Sequence, residues 1–154
     1  MMKNPSSDDQ AEKFHYEIVE LIKKYQFRDR NRMTCCGVSV SQCYVLETLH
    51  RFGPLTMNDL ADKMYLKIST MTRVVEQLVM KGYATREEDN KDRRFRRIRL
   101  TENGEKVYKA SWENVFGSEK TILNHFPPEQ RETLIQFLSQ LNRAVEEWRS
   151  CCSK

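Results

Sequence analysis

The 154 residues are enough for one domain, or for one domain with an appendage that pairs with a second copy. Apolar residues make up 39 % and charged residues 31 %, which excludes an intrinsically disordered composition, and the longest uncharged stretch is too rich in Thr, Ser, Cys and Gln to span a membrane. The formal charge of +4 is unevenly placed: residues 1–66 sum to zero, 67–99 to +5 and 102–154 to −1. A concentrated positive window with balanced flanks fits either a solvated basic face or a footprint for a polyanion, and the surrounding elements decide between them.

Residues 1–8 read as a disordered polar tail. They carry no apolar h-region, so a cytoplasmic location with no membrane partner is expected, and the five cysteines are expected as thiols or metal ligands rather than structural disulfides. Phe14, Ile18, Leu21, Ile22 and Tyr25 recur at helical spacing and predict a first helix over about residues 9–28. A polar linker, Arg28 to Arg32, and a neutral segment, Met33 to Gln42, follow. A second helix carries Val45, Leu46, Leu49 and Phe52 and stops at Gly53-Pro54. Thr56 with Asp59 has the pattern of an N-cap and a first-turn acid, opening a short helix from Asn58 to Met64. A tight turn, Tyr65-Leu66-Lys67, leads into a longer helix from Ile68 to Lys81. Met71, Val74, Val75, Leu78 and Val79 form its inner side, and Gly82 ends it.

Tyr83 to Glu88 and Phe95 to Leu100 read as the strands of a hairpin with a polar connection. Thr101 is the expected cap of a further helix whose apolar side is Tyr108, Trp112, Val115, Phe116, Ile122 and Leu123, up to Phe126-Pro127-Pro128. Leu134, Phe137, Leu138, Leu141, Val145 and Trp148 mark the last helix. The first and last helices are too apolar on one side to stand alone. Beside a middle module of about 60 residues they suggest an interface shared by two copies, a homodimer.

A short helix, a tight turn and a second helix form a helix-turn-helix. Its second helix has an apolar back and a small polar front: Ser69, Thr70, Thr72, Arg73 and Gln77. Arg suits a bidentate contact with guanine, Gln one with adenine, and Ser or Thr can contact phosphates or base edges. Lys67 and the helix N-terminus would supply phosphate contacts, and Lys91, Arg93 and Arg94 at the hairpin tip could reach an adjacent minor groove of double-stranded DNA. The alternative is a helical protein-interaction or RNA-binding dimer with a basic hairpin, which lacks an exposed aromatic platform beyond Phe95.

In these stretches the chain resembles the MarR family of winged-helix transcription regulators. The likeness rests on Asp92-Arg93-Arg94 followed by Ile98-Arg99-Leu100-Thr101-Glu102-Asn103-Gly104. It extends to Ser69-Thr70-Met71-Thr72-Arg73-Val74-Val75-Glu76-Gln77-Leu78, to Lys81-Gly82-Tyr83 and to Gln42 through Leu49, covering the chain from about residue 10. The resemblance implies a mainly α fold with a small β-hairpin wing: a winged helix-turn-helix module over 33–101, with N- and C-terminal dimerisation helices over 9–32 and 102–154. It implies a homodimer on a palindromic operator, by family default a repressor relieved by a small effector. It also implies Arg94 as the minor-groove residue of the wing, Asp92 as the residue orienting neighbouring arginines, and Ser69, Thr70, Thr72 and Arg73 on the major-groove face. Independently, recognition helices related by a dyad must lie about 34 Å apart to enter successive major grooves, and long flanking helices can hold that spacing.

The cysteines depart from the family pattern. Cys35, Cys36 and Cys43 lie between the first and second helices, where the resemblance places effector action, and Cys151 and Cys152 end the last helix. Three readings stand. Cys43 is a small core residue and the vicinal pairs are incidental; or the thiolates bind a soft effector such as arsenic(III), zinc or another thiophilic ion; or they form a redox switch. No cofactor is otherwise required. The scattered glycines form no phosphate or dinucleotide loop, and His15, His50 and His125 have no zinc-protease spacing, so no enzyme is expected.

Overall fold

The computed structural model describes residues 7–32, 37–89 and 96–152. It is mainly helical, in the order α1 (Ser7–Arg32), α2 (Val40–Phe52), β1 (Leu55–Thr56), α3 (Met57–Lys63), α4 (Ile68–Met80), β2 (Ala84–Glu88), β3 (Arg96–Leu100), α5 (Glu102–Leu123) and α6 (Pro128–Cys152). Among the described residues, no helix is long and apolar enough to cross a membrane. The chain divides into two compact units, residues 1–115 and 116–154, with the boundary inside α5.

The first unit is built on one apolar cluster. Val45, Leu46 and Leu49 of α2, Leu60 and Ala61 of α3, and Met71, Val75 and Leu78 of α4 meet Leu55, Ala84 and Ile98 of the sheet and Val115 of α5. The sheet order is β1-β3-β2, all antiparallel, with Leu55 opposite Ile98 and Ala84 opposite Leu100. Strand β1 has only two residues, too few for any alternation to be read from sequence. It joins the expected hairpin as a third strand and stitches it to the front of α3.

The helix ends follow from their capping chemistry. Ser39 and Gln42 form a reciprocal capping box at the start of α2. Thr56 caps α3 through the Asp59 N–H at 3.2 Å, and Thr101 caps α5 through the Gly104 N–H at 3.0 Å. Both α3 and α4 close in the same way, with a left-handed residue after the last turn. Leu66 N–H reaches the Ala61 carbonyl at 3.0 Å around Tyr65, at φ 54°, and Tyr83 N–H reaches the Leu78 carbonyl at 2.9 Å around Gly82, at φ 72°.

Three sequence expectations change. Helix α1 begins at Ser7, inside the expected tail, and runs through the supposed polar linker to Arg32. Its charged last turns are held in part by Asp29, which is only 3 % exposed, accepts from the neighbouring Arg28 guanidinium at 2.6 and 2.9 Å, and takes a hydrogen bond from the Tyr44 hydroxyl of α2. Val79, expected inside, lies on the flank of α4 and is exposed, because it sits one residue, about 100°, around from Leu78. On α5 the buried positions are Gly104, Ser111 and Val115, while the bulky Trp112 and Phe116 remain exposed.

Burial, followed by the acceptor Asp29, holds the Tyr44 phenol well above the usual tyrosine range. A folded-state pKa above the unfolded value of about 10 gives stability that is intact below that pH and is lost as pH rises past it. Thermal melts taken at rising alkaline pH are therefore expected to fall less steeply for Tyr44→Phe than for the wild type. An equal slope in the two proteins would remove Tyr44 as the source.

In the second unit, the end of α5 turns into α6 through hydrogen bonds from Asn124 to Lys120 at 3.0 Å and from Phe126 to Leu123 at 3.1 Å. The Arg131 guanidinium caps the Phe126 carbonyl at 3.0 Å. Along α6, Ile135, Phe137, Leu138, Val145 and Trp148 are exposed.

Candidate nucleic-acid interface

Met71, Val75 and Leu78 on the back of α4 are buried as expected, Val74 is half-buried and Val79 exposed, and the opposite side is open. Ser69, Thr70, Arg73 and Gln77 are exposed, while Thr72 is half-buried and returns its hydroxyl to the Ile68 carbonyl at 2.9 Å. Helix geometry lines Ser69, Arg73, Glu76 and Met80 along the outermost stripe, with Thr70 and Gln77 on one flank and Thr72 on the other. Glu76 and Met80 were not singled out from sequence, yet Met80 is 82 % exposed. Their place on the front becomes visible only once the start of α4 is fixed. Lys67 precedes the helix with no side-chain cap bond, so the positive end of the backbone dipole is left open beside a cation.

The excess positive charge of residues 67–99 is sorted by the fold. Arg97 pairs with the buried Asp89 and also donates to the Pro54 carbonyl at 3.2 Å, tying β3 to the turn before β1. Arg99 pairs with Glu87 across the hairpin at 2.8 Å, and Arg86 approaches Glu76 at 3.9 Å. Exposed pairs of this kind add about 0–1 kcal/mol to stability, but they settle which cations are engaged internally. Among the described residues, Lys67, Arg73 and Arg96 have no carboxylate partner. Lys91, Asp92, Arg93 and Arg94 of the wing tip lie outside the described residues.

Behind the front, Gln42 is buried beneath α4. It donates to Gln77 at 2.7 Å and accepts from Lys81 at 2.9 Å, and Lys81 also reaches the Gly37 carbonyl at 2.6 Å. The pattern Ser39-x-x-Gln42 carries the capping-box signal in the sequence; the reach to α4, 35 residues on, does not.

Cys43 is 5 % exposed in the core cluster, its thiol 3.7 Å from the Ser111 hydroxyl of α5, and Cys151 is exposed on α6. Cys35 and Cys36 lie outside the described residues, and Cys152 is the last residue of α6. Among the described residues no three His, Cys, Asp or Glu side chains converge as a metal-binding set.

A helix-turn-helix with an open polar second helix, followed at once by a β-hairpin on the same core, defines a winged helix-turn-helix protein. The MarR family model matches residues 38–95. Over 71 % of this chain and 68 % of its own length, the HTH-type transcriptional regulator YfiV of Bacillus subtilis (strain 168) is 32 % identical. The HTH-type transcriptional repressor MdtR of the same organism is 27 % identical over 79 % of this chain and 76 % of its own. A MarR family protein from Bacillus stearothermophilus superposes with a TM-score of 0.83 at 24 % identity, covering 92 % of this chain and 99 % of that one, a likeness of fold. The chain belongs to the MarR family of transcriptional regulators, which are DNA-binding proteins and not enzymes.

Proposed function

We propose that the chain acts as a homodimer that binds a palindromic operator and represses transcription from it. The observation that carries this reading is the exposed polar front of α4, with Ser69, Thr70 and Arg73 turned away from the buried Met71, Val75 and Leu78. Exposed Phe14, Leu21, Ile22 and Phe27 on α1, and Phe137, Leu138, Val145 and Trp148 on α6, support pairing of two copies, since runs of this size on a lone chain would face water. Repression is favoured by the likeness to MdtR. In this reading Lys67, Ser69, Thr70, Thr72, Arg73 and Gln77 meet the major groove and its phosphates. Lys91, Arg93 and Arg94 meet the minor groove, oriented by Asp92.

The test is selection of duplexes from a random pool by the full chain, followed by binding measured against salt. One inverted repeat should be enriched, with affinity falling steeply as salt rises. Arg73→Ala and Arg94→Ala should each weaken binding to it by about 1–3 kcal/mol. No enrichment, or both variants binding within twofold of wild type, would overturn the reading.

The proposal extends to release of the operator by a thiol effector, arsenic(III), zinc, another soft ion or an oxidant, at Cys35 and Cys36. The burial of Cys43 against Ser111 favours a packing role for that thiol. Arsenite, cadmium, zinc and peroxide are titrated while DNA release is followed. Release is expected in the wild type and lost in Cys35→Ser and Cys36→Ser; unchanged variants would exclude both thiols.

A further inference from the structure

Ile68 is the first residue of α4 and is 51 % exposed. It stands outside the apolar cluster that takes in Met71, Val75 and Leu78 of the same helix. Its neighbours in the chain, Lys67 and Ser69, are polar and exposed. One turn further along the same flank, Thr72 gives its hydroxyl proton to the Ile68 carbonyl at 2.9 Å. The Thr72 oxygen keeps lone pairs with which to accept, but neither side chain has a proton left to donate outward.

Folding gives little reason for an isoleucine at this position. Half of it stays in water, and a β-branched side chain is a poorer helix former than Ala, Lys or Gln. The place along the helix supplies the reason. In a helix-turn-helix the N-terminal residues of the second helix are those that meet base edges in the major groove. There a guanine edge presents only acceptors, which Ile68 cannot satisfy, whereas thymine presents an apolar group, its 5-methyl.

We propose that Ile68 is a specificity-determining residue that reads the 5-methyl group of one thymine in each half-site. The proposal rests on α4 being the DNA-facing helix. Met80 is more exposed, at 82 %, but it ends α4 and lies about 18 Å away along the helix axis. It is therefore the control for a general effect of apolar surface.

The experiment uses the full chain and the duplex that the wild type selects, with each thymine in turn replaced by deoxyuridine. That exchange removes one methyl group from the major groove and leaves the minor-groove edge unchanged, so the wing cannot sense it. At one position, replacement is expected to weaken binding about fourfold per half-site, the weight of one buried methyl. Ile68→Ala is expected to weaken binding to the thymine duplex by a similar factor, at a melting temperature no lower than wild type. It should also bind the thymine and uracil forms of that position equally, while Ile68→Val keeps part of the difference. Arg73→Ala and Met80→Ala should keep the full difference, whatever they do to affinity.

If no thymine position responds to uracil, Ile68 does not read a methyl group. A response that persists in full in Ile68→Ala, or vanishes equally in Met80→Ala, overturns the assignment to this residue. A wild type that selects no duplex overturns the operator reading itself, which separates that failure from this one.

Discussion

Gly104→Ala is expected to destabilise the protein by about 3 kcal/mol or more, seen as a lower urea midpoint at unchanged slope. A methyl group built on Gly104 would stand 1.9 Å from the Tyr83 carbonyl oxygen and 2.9 Å from its carbonyl carbon. The obstacle is main chain and cannot swing aside as a side chain would. Relief requires α5 to lift away from the start of the hairpin, stretching the Thr101 N–H bond to that same Tyr83 carbonyl, now 3.1 Å. Helix propensity alone would have Ala stabilise this position by about 1 kcal/mol, so the sign of the result decides whether packing or propensity governs. Gly117, in the same helix, is the control: a methyl there meets nothing within 4 Å. Gly117→Ala is expected to raise stability by about 0.5–1 kcal/mol. If both substitutions move stability the same way, the close approach at Gly104 is not what holds α5.

Asp29→Ala is expected to cost about 3–5 kcal/mol, because it leaves the Tyr44 hydroxyl and the largely buried Arg28 guanidinium without their shared acceptor. Asp29→Asn keeps one oxygen for Tyr44 but loses the charge opposite Arg28, so it should fall between Ala and wild type. Tyr44→Phe, which removes one donor and leaves the ion pair, should cost about 1 kcal/mol. That order, Ala worst and Phe mildest in chemical denaturation, is the check. An Asp29→Ala variant as stable as Tyr44→Phe would mean that Arg28 finds water or another partner at no cost. Nearby Glu47 adds a consistent sign: burial, foremost, holds its carboxyl above the usual range, so ionising it at neutral pH opposes folding.

The helix-turn-helix was legible from the sequence because its signals are local. Thr56 with Asp59, the apolar period of Met71, Val75 and Leu78, and Gly82 each act within a few residues, and the fold places them as read. The wing strands were legible for the same reason. What escaped depends on contacts across the chain. The polar run from Arg28 to Arg32 breaks no helix by composition, and Asp29 gains a buried partner only when Tyr44 packs beside it. Strand β1 exists only because Leu55 and Thr56 find Ile98 and Arg97. The sequence showed that positive charge is concentrated between Lys67 and Arg99, but the distinction between Arg97, locked to Asp89 and Pro54, and Arg73, facing outward, is a tertiary one. Gln77 carried its chemistry in its residue type, whereas its hydrogen bond with the buried Gln42 is tertiary.

The Thr101 hydroxyl donates to the Gly82 carbonyl at 2.6 Å and receives the Gly104 N–H, while its own N–H holds Tyr83. The end of α4, the root of the hairpin and the first turn of α5 therefore meet in one hydrogen-bonded knot. A torque applied along α5 arrives at α4 and at the sheet together, so neither can be re-aimed without the other. A displacement of that first turn would, in the proposed reading, tilt α4 and the hairpin together.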